Sequence, residues 1–499
     1  MSILVCLIFF IYTAALVVIT VYCLMQLHLL FQYKKHHFKL ANRPVVPAKP
    51  ALPSARSQFP FVTIQLPVYN EMYVIDRLID NIMQMDYPRE CFEVHVLDDS
   101  TDETNSIAAG LVERYKAQGF NIAQIRRSNR QGYKAGALKE AMHQAKGEFI
   151  AIFDADFLPK KDFLINTLAH FHNKKVGVVQ TRWEHLNETY SILTRLQALQ
   201  LNVHFSVEQQ GRRAGNYLLQ FNGTAGVWRR AAIEDAGGWE ADTLTEDLDL
   251  SIRAQLRGWE IIYLEGVGSP AELPAEMNGL KSQQFRWMKG GAETAKKMLP
   301  TIWRSHLRPG QKIHATMQLF SSTIFVFVFI LGVFSVPVLL LMGHSHFGSD
   351  MMKWCLIGFF AFLSVQYVAN VELPFQKGGY LKRLAKFVFL FPLFLALSMG
   401  LSLHNTVAVV QGWLGRQSAF VRTPKFNILS LRDSFRSHQY LASKISWTTI
   451  LEGLLAVYFL LAVWQGLQMD QLAFLLLHSL LALGYGAIFF YTLRHLRYK

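Results

Sequence analysis

Phe149-Ile150-Ala151-Ile152-Phe153-Asp154-Ala155-Asp156 is an apolar run that ends in two carboxylates one residue apart. An unbroken apolar stretch of this length, rich in β-branched and aromatic side chains, fits a strand buried on both faces. The same design occurs upstream. Phe92-Glu-Val-His-Val-Leu leads into Asp98-Asp99-Ser100, and Phe61-Val-Thr-Ile-Gln-Leu leads into Pro67. Helical patterns follow at 74–85 and from Ser106, with another short apolar run at 121–125. Strands alternating with helices predict an α/β unit around a parallel, doubly wound sheet. Such sheets hold ligands outside the carboxyl ends of their strands, and two of these ends carry paired acids.

On both sides of this unit the composition changes. The chain has 499 residues, is 51% hydrophobic and carries a net charge of +14. No Asp, Glu, Lys or Arg occurs in 1–33, 313–349, 387–415 or 471–493. A bilayer core needs about 20 apolar residues in a helix, so each of these could cross one. Shorter candidates are 354–371 and 445–468, the latter interrupted by Glu452. The first segment lacks a basic start and a small-residue cleavage site, which predicts a retained helix rather than a signal peptide. Four cysteines (Cys6, Cys23, Cys91, Cys355) show neither disulfide nor zinc spacing. The excess Lys and Arg cluster beside the apolar segments, at 34–49, 377–386, 416–444 and 494–499. That is the bias of cytoplasmic membrane flanks and argues against nucleic-acid binding.

These charges predict an integral protein of the inner or plasma membrane. The expected organisation is an N-terminal transmembrane helix at 1–33 and a cytoplasmic catalytic domain at 34–312. Two crossings and one interfacial or re-entrant helix follow at 313–411, then a cytoplasmic loop at 412–444 and a helix pair at 445–499. A single crossing at 387–415 would put the basic 416–444 stretch outside, so five crossings plus one non-crossing segment is the favoured reading and six crossings the alternative.

Asp154 and Asp156 can hold a hard divalent cation beside a diphosphate; alone, the tripeptide reads equally as a turn or helix cap. Asp98 and Asp99 can accept hydrogen bonds from a base or ribose, or simply precede a helix capped by Ser100, Thr101 or Asp102. Arg130-Gln-Gly-Tyr-Lys134 brings a glycine and a cation suited to phosphate, or is a solvated loop. Glu246 and Asp247 open a helical segment. Either the cluster contains a general base for an acceptor hydroxyl, or its acids complement the helix dipole. Gln283-Gln-Phe-Arg286-Trp287 joins a guanidinium to an aromatic platform just before the second apolar region, as an ordinary interfacial helix also does.

Taken in order, Leu66-Pro-Val-Tyr-Asn-Glu71, Leu97-Asp-Asp-Ser, Lys134-Ala-Gly, Asp154-Ala-Asp156, Thr245-Glu-Asp247 and Gln283-Gln-x-Arg-Trp287 resemble the signature of family-two membrane glycosyltransferases. The likeness is to the cellulose synthase and cellulose-synthase-like (glucan and mannan synthase) branch. It implies a GT-A (Rossmann-like) fold, Mg²⁺ or Mn²⁺, and an inverting mechanism giving β linkages. It also implies that Asp98 and Asp99 contact the nucleotide, Asp156 holds the metal with Asp154 nearby, and Asp247 is the base. Gln283, Arg286 and Trp287 would bind the diphosphate and the acceptor. Phe221-Asn-Gly-Thr224 falls where the family lines the acceptor end, or is a plain glycine turn. Phe420, Thr423 and Lys425 match the spacing of the cellulose synthase gating loop, with Arg422 where that family has Val. Arg432 and Arg436 have cyclic-dinucleotide spacing, but the rest of that module is missing and no such regulation is expected.

The resulting expectation is a processive β-glycosyltransferase using UDP-glucose or GDP-mannose at the cytoplasmic face, its product passing through the helices. The alternative is a glycolipid synthase with a membrane-lipid acceptor. A non-catalytic transporter is disfavoured because no internal repeat is visible among the helices. Gln318, His404 and Asn405 are polar groups that could line a channel, and Glu452 must face a cavity or the interface.

Overall fold

The computed structural model describes residues 3–41, 59–342, 348–373, 378–418, 420–435, 439–441 and 445–496; Arg436 and the 343–347 connection lie outside them. Seven strands form one sheet: β1 (Val62–Val68), β2 (Phe92–Asp98), β3 (Ile122–Ile125), β4 (Phe149–Ile152), β5 (Val176–His185), β6 (Gly226–Arg229) and β7 (Glu260–Ala271), in the order β3-β2-β1-β4-β6-β5-β7. β1 to β4 are mutually parallel. Their apolar side chains pack on both faces: Ile64, Leu66, Val94 and Ala151 on one, Leu97, Ile150 and Ile152 on the other. Two faces covered by helices leave no solvated side, which is why these strands read as continuous apolar runs.

The expected parallel order holds from β1 to β4 and ends there. β6 is antiparallel to both β4 and β5, so the sheet is mixed, while β5 and β7 pair in parallel. β6 is only Gly-Val-Trp-Arg and β7 carries Pro270 near its end. β6 is too short to show a pattern, and the Ile261–Leu264 apolar run of β7 stops at Glu265 and Gly266, midway along the strand.

Against this unit lie the apolar helices. Among the described residues, five have the length and composition to cross a membrane: Ile3–Phe38, Ile324–Leu341, Tyr380–Gly400, Trp447–Gln468 and Phe474–Arg494. The apolar region expected from Ile313 divides instead into helices Pro309–Leu319 and Ile324–Met342. His28 meets His314, while Phe9 and Tyr12 pack with Val338 and Leu339, so Ile324–Met342 runs antiparallel to the first helix. Gly358 lies against Thr20, and Val365 and Val368 against Leu30 and Tyr33, so Gly348–Tyr367 runs parallel to it. Trp447–Gln468 and Leu472–Arg494 form an antiparallel hairpin, with Gly453 beside Phe489 and Gly466 beside Leu475. Both free ends of the hairpin reach the sheet-bearing unit, through the buried Lys281–Glu452 pair (2.8 Å) and Met277 N to His495 Nδ1 (3.1 Å).

The 380–415 segment follows another course. Phe387, Leu390 and Phe394 pack on Leu196 and Leu199, and Leu401 on Met277 and Leu280. Past a kink at Leu401, His404 Nε2 meets Lys281 O (2.9 Å) and Gly412 lies against the Lys289 backbone. Start, middle and end all touch helices of the sheet-bearing unit.

Candidate active site

The carboxyl ends of β1, β2 and β4 open on a cavity of about 180 Å³. Asp99, Lys134, Asp154, Asp156, Glu246, Asp247, Gln283, Arg286, Trp287, Phe420, Thr423 and Lys425, drawn from six sequence motifs, all line it. Asp98 does not. It is buried, accepting from Ser100 N (2.8 Å) and Gln124 Nε2 (2.7 Å), so it shapes the turn behind Asp99.

Within the cavity, acids and cations hold one another. Lys134 Nζ meets Asp154 Oδ1 at 2.6 Å and Gly223 O at 2.9 Å. Asp154 N donates to Thr224 Oγ1 (2.9 Å). Lys425 Nζ sits 2.6 Å from Asp156 Oδ2, and Arg127 grips Asp99 through Nε (3.0 Å) and Nη2. Arg422, the departure from the gating-loop pattern, pairs with Glu71 Oε2 at 2.8 Å and lies 4.0 Å over the Tyr440 ring. Arg286 donates to Thr423 Oγ1 (3.2 Å) and covers Phe420 (4.7 Å), joining helix Met277–Arg304 to the loop.

Asp247 stands at the start of helix Glu246–Leu256. Its Oδ1 accepts from Leu248 N (2.8 Å), so the capping role weighed for this cluster is present on one oxygen. Oδ2 faces Gly223, whose φ of +77° suits glycine; a Cβ there would lie 2.9 Å from that oxygen. Burial and the neighbouring Glu246 carboxylate push the Asp247 carboxyl up to about 7, and burial also raises Glu246. Burial pushes Glu71 up to about 7 against the opposing pull of Arg422 and Lys425. Non-glycine residues in the left-handed region gather at this site, at Asn70 (φ 55°), Tyr133 (φ 48°) and Ala225 (φ 54°).

Tyr69, Glu71, Arg130, Trp183 and Arg422 also line the cavity. Glu71 was within reach, since it follows a buried strand as Asp99 and Asp156 do. Arg130, stacked 3.2 Å over Tyr69, lay inside a quoted motif. Trp183 gave no signal, because an aromatic within a strand reads as core.

A second cavity, about 370 Å³, continues from the first among the membrane-side helices, bordered by Tyr22, Phe205, Gln318, Phe325, Phe362 and Phe394 among others. The two share Trp183, Asn222, Thr245, Asp247 and Trp287. Gln318 lines it as expected, but His404 and Asn405 do not. His404 bonds the Lys281 carbonyl and Asn405 is buried between helices. Glu452 faces neither cavity; Lys281 compensates it.

Among the described residues, one group of three carboxylates lies close enough to share a cation: Glu240, Asp242 and Asp249, outside the cavity lining. Lys297 already bridges them, at 2.6, 2.9 and 3.1 Å. The predicted metal residue, Asp156, is elsewhere.

This arrangement, acids at the strand ends of a mixed GT-A-type sheet, is that of a nucleotide-sugar-using transferase fold. Residues 60–290 match the sequence family described as "Glycosyltransferase like family 2". The catalytic unit thus belongs to the family 2 glycosyltransferases. The chain is 43% identical over 248 residues to a probable glucomannan 4-beta-mannosyltransferase 7 of Oryza sativa subsp. japonica, covering 49% of this chain and 42% of the relative. It is 44% identical over 253 residues to glucomannan 4-beta-mannosyltransferase 1 of Cyamopsis tetragonoloba, covering 49% and 48%. The chain thus spans about half the length of the curated relatives it matches. A solved mannosyltransferase from Pyrobaculum calidifontis, in complex with GDP-Man and Mn2+, superposes with a TM-score of 0.47 at 20% identity, covering 72% of this chain and 98% of the other.

Proposed function

We propose that the protein transfers a hexose, mannose foremost, from a nucleotide-sugar to a β-linked glycan at the cytoplasmic face of a membrane and guides the product into its helices. The observation that carries this reading is Asp247, a carboxylate on the wall common to a charged cavity and a membrane-side one. The relatives' names favour a mannosyl donor such as GDP-mannose; UDP-glucose is the other candidate.

In this reading the nucleoside diphosphate lies among Lys134, Arg130, Arg286 and Lys425, whose charges match its phosphates. Asp247 takes the proton of the acceptor hydroxyl as that oxygen attacks the anomeric carbon from the side opposite the leaving diphosphate. A carboxyl raised to about 7 is a competent base near neutral pH. Trp287 and Trp183 offer flat faces to the sugar rings. Arg422 on Glu71 and Phe420 beneath Arg286 fold the 420–425 loop over the donor, excluding water.

A divalent cation fits the cavity: Asp156, with Asp154, supplies hard carboxylate oxygens, and the Lys425 ammonium already balances Asp156. Those two acids would hold Mg²⁺ or Mn²⁺, which when bound stabilises charge on the departing diphosphate. With a cation at Asp156, Lys425 would be left to pair with a phosphate oxygen of the donor.

The helices support the predicted topology. Tyr380–Gly400 is long enough to cross and packs on the last helix, but the contacts of Phe387–Leu401 with Leu196, Leu199, Met277 and Leu280 favour an interfacial course. Gly348–Tyr367, parallel to the first helix, takes the remaining crossing.

The test is to incubate purified protein in lipid with GDP-mannose or UDP-glucose and Mn²⁺ or Mg²⁺, then size the product. A long β-linked ladder is expected. One or two sugars on a lipid would replace the polymer reading, and no transfer from any donor would overturn the proposal.

A further inference from the structure

Asn222, on the wall between the two cavities, has a donor with no partner. It is 8% exposed and borders both cavities, and its Nδ2 makes no hydrogen bond among the described residues. Leaving a buried amide donor unmet is unfavourable, so a site that keeps one is built to meet it with a ligand. The other end of the amide is held firmly. Asn222 Oδ1 lies 2.8 Å from His204 Nε2, and the Nδ1 of that ring lies 3.0 Å from Glu208 Oε2. Both partners are acceptor oxygens, so the ring bridges them with both of its nitrogens donating.

Glu208 is anchored in its turn. Arg212 approaches the same carboxylate oxygen at 3.3 and 3.4 Å, and Gln26, on helix Ile3–Ala41, donates to the other at 2.8 Å. Against burial, which would raise it, Arg212, His204 and Gln26 hold the Glu208 carboxyl at about 2, so the anchor is an ion. His204 and Glu208 are the first and last residues of a π-helical turn that interrupts the helix between Ile192 and Ala214. Such turns cost regularity and recur at functional sites. Of this network only Asn222 borders the charged cavity; the rest leads from the first apolar helix to the shared wall.

We infer that His204 and Glu208 are positioning residues for the acceptor: they clamp the Asn222 amide so that Nδ2 donates to an oxygen of the acceptor sugar between Trp183 and Trp287. The inference rests on the transfer reading above. It adds that acceptor placement is set from the first apolar helix, through Gln26, and is independent of donor binding.

Full-length protein in lipid, as wild type, H204A, H204Q, E208Q and N222A, tests it by two measurements: calorimetric binding of a soluble β-linked oligosaccharide and of GDP with Mn²⁺, and the acceptor KM. H204A and N222A each weaken acceptor binding about tenfold, the value of one hydrogen bond in a dry site. The double variant is no worse than either single, because the residues act as one unit. H204Q, whose amide can donate at only one end, does not restore the clamp, and GDP binding stays unchanged throughout. Unchanged acceptor binding in H204A and E208Q, additive losses in the double variant, or a parallel loss of GDP binding would each overturn the clamp. E208Q carries the comparison if H204A does not fold. A wild type that binds the oligosaccharide but turns over no donor refutes the transfer reading, while the binding series still judges the clamp.

Discussion

The charged cavity and the membrane-side cavity share five residues yet use opposite chemistry. Six carboxylates (Glu71, Asp99, Asp154, Asp156, Glu246, Asp247) and five cations (Arg130, Lys134, Arg286, Arg422, Lys425) line the first. In the second, apart from Asp247, the charged lining is Glu208 with Arg212, which hold each other, and the rest is aromatic, aliphatic, amide and hydroxyl. Charge-assisted bonds fix a small anion in one geometry. Amides and aromatic faces hold a sugar weakly enough to let it move on. Under the proposed function, the contrast separates the place where a donor diphosphate would be held still from the path its product would take.

Asp247, on the border, is the largest lever. Asp247→Asn should slow transfer by about 10²–10⁴-fold, the range for a lost general base, while nucleotide binding by calorimetry is retained. The same carboxyl sets a pH dependence. Because its value is raised to about 7 and Glu246 is raised with it, the ionised base is lost as pH falls through about 7. Activity should therefore drop on the acid side, with a limb that belongs to the pair rather than to one residue. A rate that stays flat from about pH 8 down to pH 5 would remove Asp247 from this role.

Lys425→Met sharpens the charged side. It leaves Asp156 without its ammonium in a site where both side chains are about nine-tenths buried. The ligand-free protein should lose about 2 kcal/mol, the cost of an unpaired buried charge softened by partial exposure. Added Mn²⁺ should restore much of the lost thermal midpoint. A midpoint indifferent to Mn²⁺ in this variant argues against a cation at Asp156.

Trp183→Phe probes the membrane side, and its effect is the smallest. The indole Nε1 has no partner, so its removal should leave stability unchanged while shifting acceptor KM or mean product length about threefold. A change in donor KM instead would assign Trp183 to the charged cavity.

The legible parts of this molecule were those whose local chemistry repeats. Buried parallel strands advertise themselves as apolar runs, and Asp99, Asp154 and Asp156 each stand where such a run stops. Glu71 stands in the same place and was passed over, because one acid after Tyr-Asn reads as a turn. β6 and β7 were hidden for the opposite reason: their pairing is set by partners distant in sequence rather than by their own pattern. Asp98 shows the limit of reading by adjacency. Next to Asp99 in sequence, it turns to the other side of the strand end and serves the loop.

By itself the sequence determined the α/β class, the separation of an apolar assembly from a polar unit, and the set of strand ends where acids collect. All three follow from periodicity and composition, which each residue carries with it. Only the tertiary structure decided that Lys425 lies on Asp156, that Arg422 finds Glu71, that the 380–415 segment follows the catalytic unit, and that Asn222 faces two cavities at once. Those relations join residues tens to hundreds of positions apart, and a contact of that kind is set by packing in space rather than by either partner's neighbours along the chain.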